Sequence, residues 1–211
     1  MKQLLASPHV YNALQNLLSG PARRRRFYRE TLAMPEKGRV LDIGCGTANS
    51  LACLSPAIEY VGFDASGPYI EYARRKYADR NARFHQEIVE KADLSRLGHF
   101  DVVIATGILH HLSDEAAIQL FELAQLALAE GGTLITVDPC FVPDQHPISR
   151  RMVGNDRGEF VRPFDRYPLL AKSVFDDVRA LHRNDLLRIP YDHCVMFSRT
   201  SHEDPIARAA P

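Results

Sequence analysis

The chain has 211 residues, enough for one substantial core, with 45% apolar and 25% charged residues. Lys plus Arg number 26, as do Asp plus Glu, so no net basic charge speaks for general nucleic-acid binding, and no apolar run is long enough to span a bilayer. The opening MKQLLASPHV lacks the pattern of a secretory signal. Cys45, Cys53, Cys140 and Cys194 are dispersed and form no CxxC pair, which disfavours a disulfide framework or a zinc site and fits a reducing, cytoplasmic compartment.

In chain order, the first thirty-odd residues read as helical. Tyr11, Leu14, Leu17 and Leu18 lie near one face, Gly20-Pro21 interrupts, and a second helix fits Ala22–Leu32. GRVLDIG (38–44) reads as a buried strand, Ala48–Leu54 as a short helix, and IEYVGFD (58–64) as a second strand ending at Asp64. The next helix, SGPYIEYARRKYA, has Ser66 as its cap and Pro68 in its first turn. ARFHQ (82–86) and FDVVIATG (100–107) read as the third and fourth strands. SDEAAIQLFELAQLALAEGG (113–132) reads as a helix capped by Ser113 or Asp114 and ended by Gly131-Gly132, and GTLITVD (132–138) as the fifth strand. This order, β-α-β-α-β-β-α-β, implies an α/β, doubly wound, mostly parallel sheet with helices on both faces.

After Asp138 the periodicity fades. Residues 139–168 carry many prolines, glycines and charges and read as an excursion over a site. A helix from Pro168 to about Val178 and strands near Ala180–Arg183 and Cys194–Arg199 close the chain. The expected organisation is one domain over 1–211. It comprises a helical cap (1–37), a cofactor-binding core (38–138), and a substrate-side excursion with the final strands (139–211).

Ligands of doubly wound sheets bind beyond the carboxyl ends of the strands, where Asp42, Gly44 and Gly46 fall. A dinucleotide fingerprint needs a small residue at the third glycine position, which here is Asn49, with Ala48 beside it. No Gly-Lys-Ser/Thr follows, so a P-loop also fails. A nucleoside without a diphosphate fits better, with Asp64, at the end of strand two, accepting hydrogen bonds from a ribose. A nicotinamide-dependent reductase is disfavoured by Asn49.

VLDIGCGTA with YVGFDAS and then FDVVIATGILHHL, in that order from Arg39 to Asp138, resembles the class I S-adenosylmethionine-dependent methyltransferases. The resemblance implies a seven-stranded sheet with an antiparallel last strand and S-adenosylmethionine as cofactor. It places Gly44, Cys45 and Gly46 beside the methionine portion, Asp42 near its amino group, Asp64 on the ribose and Ala65 under the adenine. The backbone at Thr106 would reach the methionine end. The family often has an acid after strand three; here the slot falls on Ile88, with Glu87 one position early, so the adenine contact lies with one or the other. PHVYNALQ resembles segments that fold over the cofactor, which would turn Tyr11 and Gln15 toward the methionine carboxylate.

The implied activity is methyl transfer to a small-molecule acceptor, with no metal and with neither nucleic acid nor membrane as partner. A non-catalytic S-adenosylmethionine-binding sensor is the alternative. If the acceptor arrives protonated, His111, His110, Asp138 and His146 are the candidate bases, in that order. Arg150, Arg151, Arg157 and Arg162 could meet an anionic group on the acceptor or lie in solvent, and the run Arg23–Arg26 reads as a solvated helix face. The NPPY-type sequence of amino-methylating nucleic-acid enzymes is absent; strand four runs into ATGILHH.

Overall fold

A computed structural model describes residues 7–156 and 158–200. Eight strands form one sheet: β1 (Gly38–Ile43), β2 (Ile58–Phe63), β3 (Ala82–His85), β4 (Phe100–Thr106), β5 (Leu128–Phe141), β6 (Arg162–Pro163), β7 (Asp177–Arg183) and β8 (His193–Arg199). Their order is β3-β2-β1-β4-β5-β8-β7, with the two-residue β6 paired to the end of β5. The pairs from β3 to β5 are parallel, and β8 runs antiparallel to both β5 and β7. This is the expected seven-stranded architecture with a reversed last strand, plus a short eighth strand.

Strand periodicity divides the core into two layers. Leu41, Val61, Phe63, Val103 and Leu134 point to one face, which is covered by α4 (Lys91–Leu97), α5 (Asp114–Ala127) and α7 (Arg166–Ala171). Val40, Tyr60, Val102, Ile104 and Ile135 point to the other, where Tyr28, Leu32 and helix α3 (Gly67–Lys76) pack. The N-terminal helices are α1 (Pro8–Leu18) and α2 (Pro21–Arg26), the latter continued by one π-helical segment over Phe27–Thr31.

Several expectations are corrected. Between β3 and β4, where direct succession was expected, α4 supplies the crossover that parallel strands require. It is seven residues long and is held by a capping box between Glu90 and Asp93. Helix α5 stops at Ala127, because Leu128 is already extended and pairs with Phe100. Gly131, at φ +71°, then forms an irregularity within β5 instead of a helix cap. The excursion holds a helix of its own, α6 (Pro147–Gly154). The helix expected from Pro168 ends at Ala171, and β7 starts earlier than expected, at Asp177.

Candidate active site

The expected helix at Ala48–Leu54 does not form. Gly44 (φ +71°), Gly46 (φ +55°) and Ala48 (φ +52°) all adopt the left-handed conformation, so the loop coils through turns into a single 3-10 turn at Leu51–Cys53. Side chains pull the same way. Ser50 donates to Asp42 Oδ2 at 2.6 Å, and the Asn49 amide donates to Asn12 of α1. The glycine loop therefore leads into a 3-10 turn and not into an α-helix.

Asp42 is buried at the end of β1, and its Oδ2 also accepts the Tyr60 hydroxyl. Burial pushes its carboxyl up to about 7, against the downward pull of the Ser50 and Tyr60 hydroxyls. The amides of Gly44 and Cys45 both donate to Phe63 O, at 2.8 and 2.9 Å, which ties the loop to β2. The Cys45 side chain fills the space over Gly62, where an added Cβ would lie 2.8 Å from its Sγ. Burial raises the Cys45 thiol well above its ordinary range, which removes it as a nucleophile.

Asp64 follows β2 and is half-buried. Its two oxygens accept from the amides of Gly46 and Ser66, each at 2.8 Å, and each oxygen keeps a further lone pair. Ala65 and Glu87 are exposed, and Ile88 is 76% exposed beyond β3; Glu87 lies 3.5 Å from His85 Nδ1. Thr106 ends β4; nearby, Tyr28 of the π-helical segment is buried, which pushes its phenol far above its usual range.

Helix α1 lies against the glycine loop, and a residue the sequence reading did not name makes the contact. Asn12 Oδ1 accepts from Thr47 Oγ1 at 2.8 Å and from Asn49, while its Nδ2 is buried without a partner. Tyr11 packs on Tyr69 with ring centroids 5.4 Å apart, and Gln15 donates to the Tyr11 hydroxyl at 3.4 Å.

On the acceptor side, His110 is buried between two carboxylates. Its Nδ1 is 2.8 Å from Asp138 Oδ1 and its Nε2 is 3.2 Å from Asp156 Oδ1. Burial lowers its pKa, but hydrogen bonds and charge from both acids outweigh that and raise it to about 9. His111 is exposed on the same 3-10 turn, its ring 4.1 Å from that of His110. His146 stands apart from this group: it is exposed and caps α6, its Nδ1 accepting from the Ile148 amide at 3.2 Å. Arg162 is neither solvated nor available to an anion. It is buried and donates to Asp114 and to the carbonyls of Leu109, Leu112 and Phe160. Arg150 and Arg151 are exposed on α6, and Arg157 lies outside the described residues.

The structure thus collects Asp42, Gly44, Gly46, Asp64 and Thr106 along one edge of the sheet, with His110, His111 and Asp138 beside them. Sequence reasoning missed Asn12, Tyr28, Ser50, Tyr60, Asp156 and Tyr191. Only Asn12 carried a signal, being next to Tyr11 on a segment already suspected of folding over the cofactor.

Gly44 offers a direct check on the cradle. An added Cβ would lie 2.8 Å from Ile108 Cδ1, at a backbone angle that L-residues avoid. Gly44→Ala is expected to lower stability by about 1–2 kcal/mol in urea unfolding and to weaken binding of S-adenosylhomocysteine in calorimetry. A variant as stable as the parent would contradict the assigned conformation.

Comparison with known proteins agrees with this geometry. A family profile described as a methyltransferase domain matches residues 40–132. Ribosomal RNA small subunit methyltransferase C of Cronobacter sakazakii is 36% identical over 120 residues, covering 54% of this chain and 34% of that protein. The chain thus spans about a third of the length of such curated relatives. Human N-acetylserotonin methyltransferase, solved with S-adenosylmethionine, superposes with a TM-score of 0.66 at 15% identity, over 94% of this chain and 58% of that one. The CcbJ methyltransferase from Streptomyces caelestis gives 0.61 at 14% identity, over 86% and 90%. At these identities the solved structures establish the fold. Residues 40–132 thus match a methyltransferase-domain profile, and the chain has the fold of the S-adenosylmethionine-dependent methyltransferases.

Proposed function

We propose that this chain transfers a methyl group from S-adenosylmethionine to a small-molecule acceptor. The observation that carries the reading is Asp64. It is a half-exposed carboxylate at the tip of β2 that already orders the glycine loop and keeps lone pairs for two hydroxyl groups. The surroundings fit the cofactor. Gly44 and Gly46 add no side chain of their own to the loop, Asp42 is an acid suited to an ammonium group, and the orphaned Asn12 amide suits a carboxylate. Bound there, S-adenosylmethionine supplies an electrophilic methyl on a good leaving group.

The remaining contribution of the protein is alignment. Holding the acceptor in line at near-attack distance accounts for on the order of 7–11 kcal/mol of such a barrier in favourable cases. A base is needed only for a protonated nucleophile. His110 is a poor base because both of its ring nitrogens face carboxylates. His111, exposed beside the rim of β4, is the better candidate. Asp138 is buried with one oxygen committed to His110, and His146 is a helix cap.

The small-molecule reading is supported by ATGILHH after β4, in place of an NPPY-type sequence, and by the balanced charge. An RNA acceptor is the second reading, favoured by the 36% identity to an enzyme named for ribosomal RNA. One experiment separates these from a non-catalytic binder. The protein is incubated with S-adenosylmethionine and either a panel of small acceptors or small-subunit ribosomal RNA, and S-adenosylhomocysteine is quantified. We expect turnover with a member of the small-molecule panel. Turnover with RNA alone would favour the second reading, and tight cofactor binding with no turnover on either would favour a sensor. Calorimetry with NAD is expected to show no binding.

A further inference from the structure

The turn after β4 is joined to the acceptor-side excursion by more than packing. Asp156 faces His110 Nε2, and its other oxygen accepts the Tyr191 hydroxyl at 2.7 Å. The Phe160 amide donates to His110 O at 3.0 Å. Arg162 ties the far end of this stretch to Leu109, Leu112 and Asp114. The backbone of Gly158 lies directly on the imidazole: an added Cβ would come within van der Waals overlap of His110 Cδ2 and O, at 2.2 and 2.4 Å. Its amide donates to Asp156 Oδ1 at 3.0 Å, so Asp156 is oriented from three directions.

We propose that His110 is a positioning residue, an imidazolium latch that clamps Asp156 and the Gly158–Arg162 stretch against the β4–β5 rim as a fixed wall of the acceptor site. Calling this wall the acceptor's rests on the methyltransferase reading above; the latch itself rests on geometry.

A neutral imidazole has one N–H, so it can donate through one ring nitrogen only. Here each nitrogen faces a carboxylate oxygen, and the side chain is 8% exposed, too enclosed for water to substitute. Only the doubly protonated ring satisfies both sides. The groups facing it are few. Asp138 comes from β5, Asp156 from the excursion, and the His111 ring from the same turn. The Tyr191 hydroxyl approaches from the loop before β8, through Asp156, and Arg162 spends its guanidinium on carbonyls and Asp114. Burial opposes the second proton, but the two facing carboxylates outweigh it. On Asp156, burial pushes upward, but His110, the Gly158 amide and the Tyr191 hydroxyl hold the carboxyl below its ordinary range. His110 is four residues beyond Thr106, at the cofactor edge of β4, so the latch references the wall to the same turn that borders the transferable methyl. It shares no residue with Asp42, the glycine loop or Asp64.

The test uses the whole chain and two variants. Side-chain 15N spectra of the wild type should show His110 protonated on both nitrogens from pH 6 to 8. Asp156→Asn replaces one carboxylate by an amide that can donate to a neutral ring, so the His110 acid constant should rise at least tenfold. In His110→Gln, hydrogen exchange at the amides of Gly158 and Phe160 should quicken by tenfold or more, while affinity for S-adenosylhomocysteine stays within threefold of the wild type. A singly protonated His110 at pH 7 in the wild type, or unaltered exchange at both amides in the variant, overturns the latch. If His110→Gln does not fold, Asp156→Asn decides, and an unmoved His110 titration overturns it. Failure of the wild type to bind S-adenosylhomocysteine would instead remove the methyltransferase reading and leave the spectroscopic result standing.

Discussion

Asp64→Ala is expected to raise the dissociation constant for S-adenosylmethionine by about 100-fold or more, read by calorimetry. A hydrogen bond to an ionised acceptor contributes about 1.5–3 kcal/mol, and tenfold in affinity corresponds to about 1.4 kcal/mol. Losing the bonds to two ribose hydroxyls therefore suffices for the predicted change. The substitution also strands the Gly46 and Ser66 amides, which now donate to the carboxylate at 2.8 Å, so the loop would lose its order as well as its ligand. The two effects can be separated with fragments. Wild-type protein should bind adenosine more tightly than 2′,3′-dideoxyadenosine, and Asp64→Ala should bind them equally. Asp64→Asn keeps one acceptor oxygen and should fall between. If Asp64→Ala still preferred adenosine over the dideoxy compound, the ribose role of Asp64 would be refuted.

What could be read from the chain before folding follows from how far each interaction reaches. β1, β2 and β4 are short apolar runs that end in polar or glycine residues, so Asp42, Gly44, Gly46 and Asp64 could be aligned along one edge from sequence alone. Helix α4 escaped notice because KADLSRL is short and mostly polar, and its capping box uses Glu90 and Asp93 where a hydroxyl residue is the usual signal. The helix expected after the glycine loop failed because Ala48 turned left-handed and Ser50 turned inward to Asp42, a tertiary pull that no local propensity registers. Asn12 meets Thr47 across 35 residues and Tyr191 meets Asp156 across 35. Such polar pairs carry no period, so only the folded chain discloses them. The adjacent histidines show the same boundary from within one motif. The sequence offered both as bases, and the fold buried His110 between acids while leaving His111 at the surface.

Asp42→Asn should stabilise the cofactor-free protein at pH 8 and weaken cofactor binding. Asp42 is buried, and its carboxyl is pushed up to about 7 from an ordinary 3.8, chiefly by loss of solvation. A folded-state pKa above the unfolded one means stability that is fully present below about pH 4 and lost as pH rises through 7. At 1.36 kcal/mol per unit the loss amounts to roughly 4 kcal/mol at most by pH 8. The asparagine oxygen can still accept from Ser50 and Tyr60, so the variant keeps the hydrogen bonds and sheds the charge. Denaturant unfolding should find the two proteins close below about pH 4 and the variant ahead at pH 8, by as much as a few kcal/mol. The cofactor should reverse that order. A cationic amino group beside Asp42 favours the carboxylate, so binding near pH 6.5 should expel part of a proton from the wild type and none from this site in the variant. Calorimetry in buffers of different ionisation heat reads that difference. Equal proton release by both proteins would mean that Asp42 does not face the cation, and that its unfavourable burial serves the loop alone.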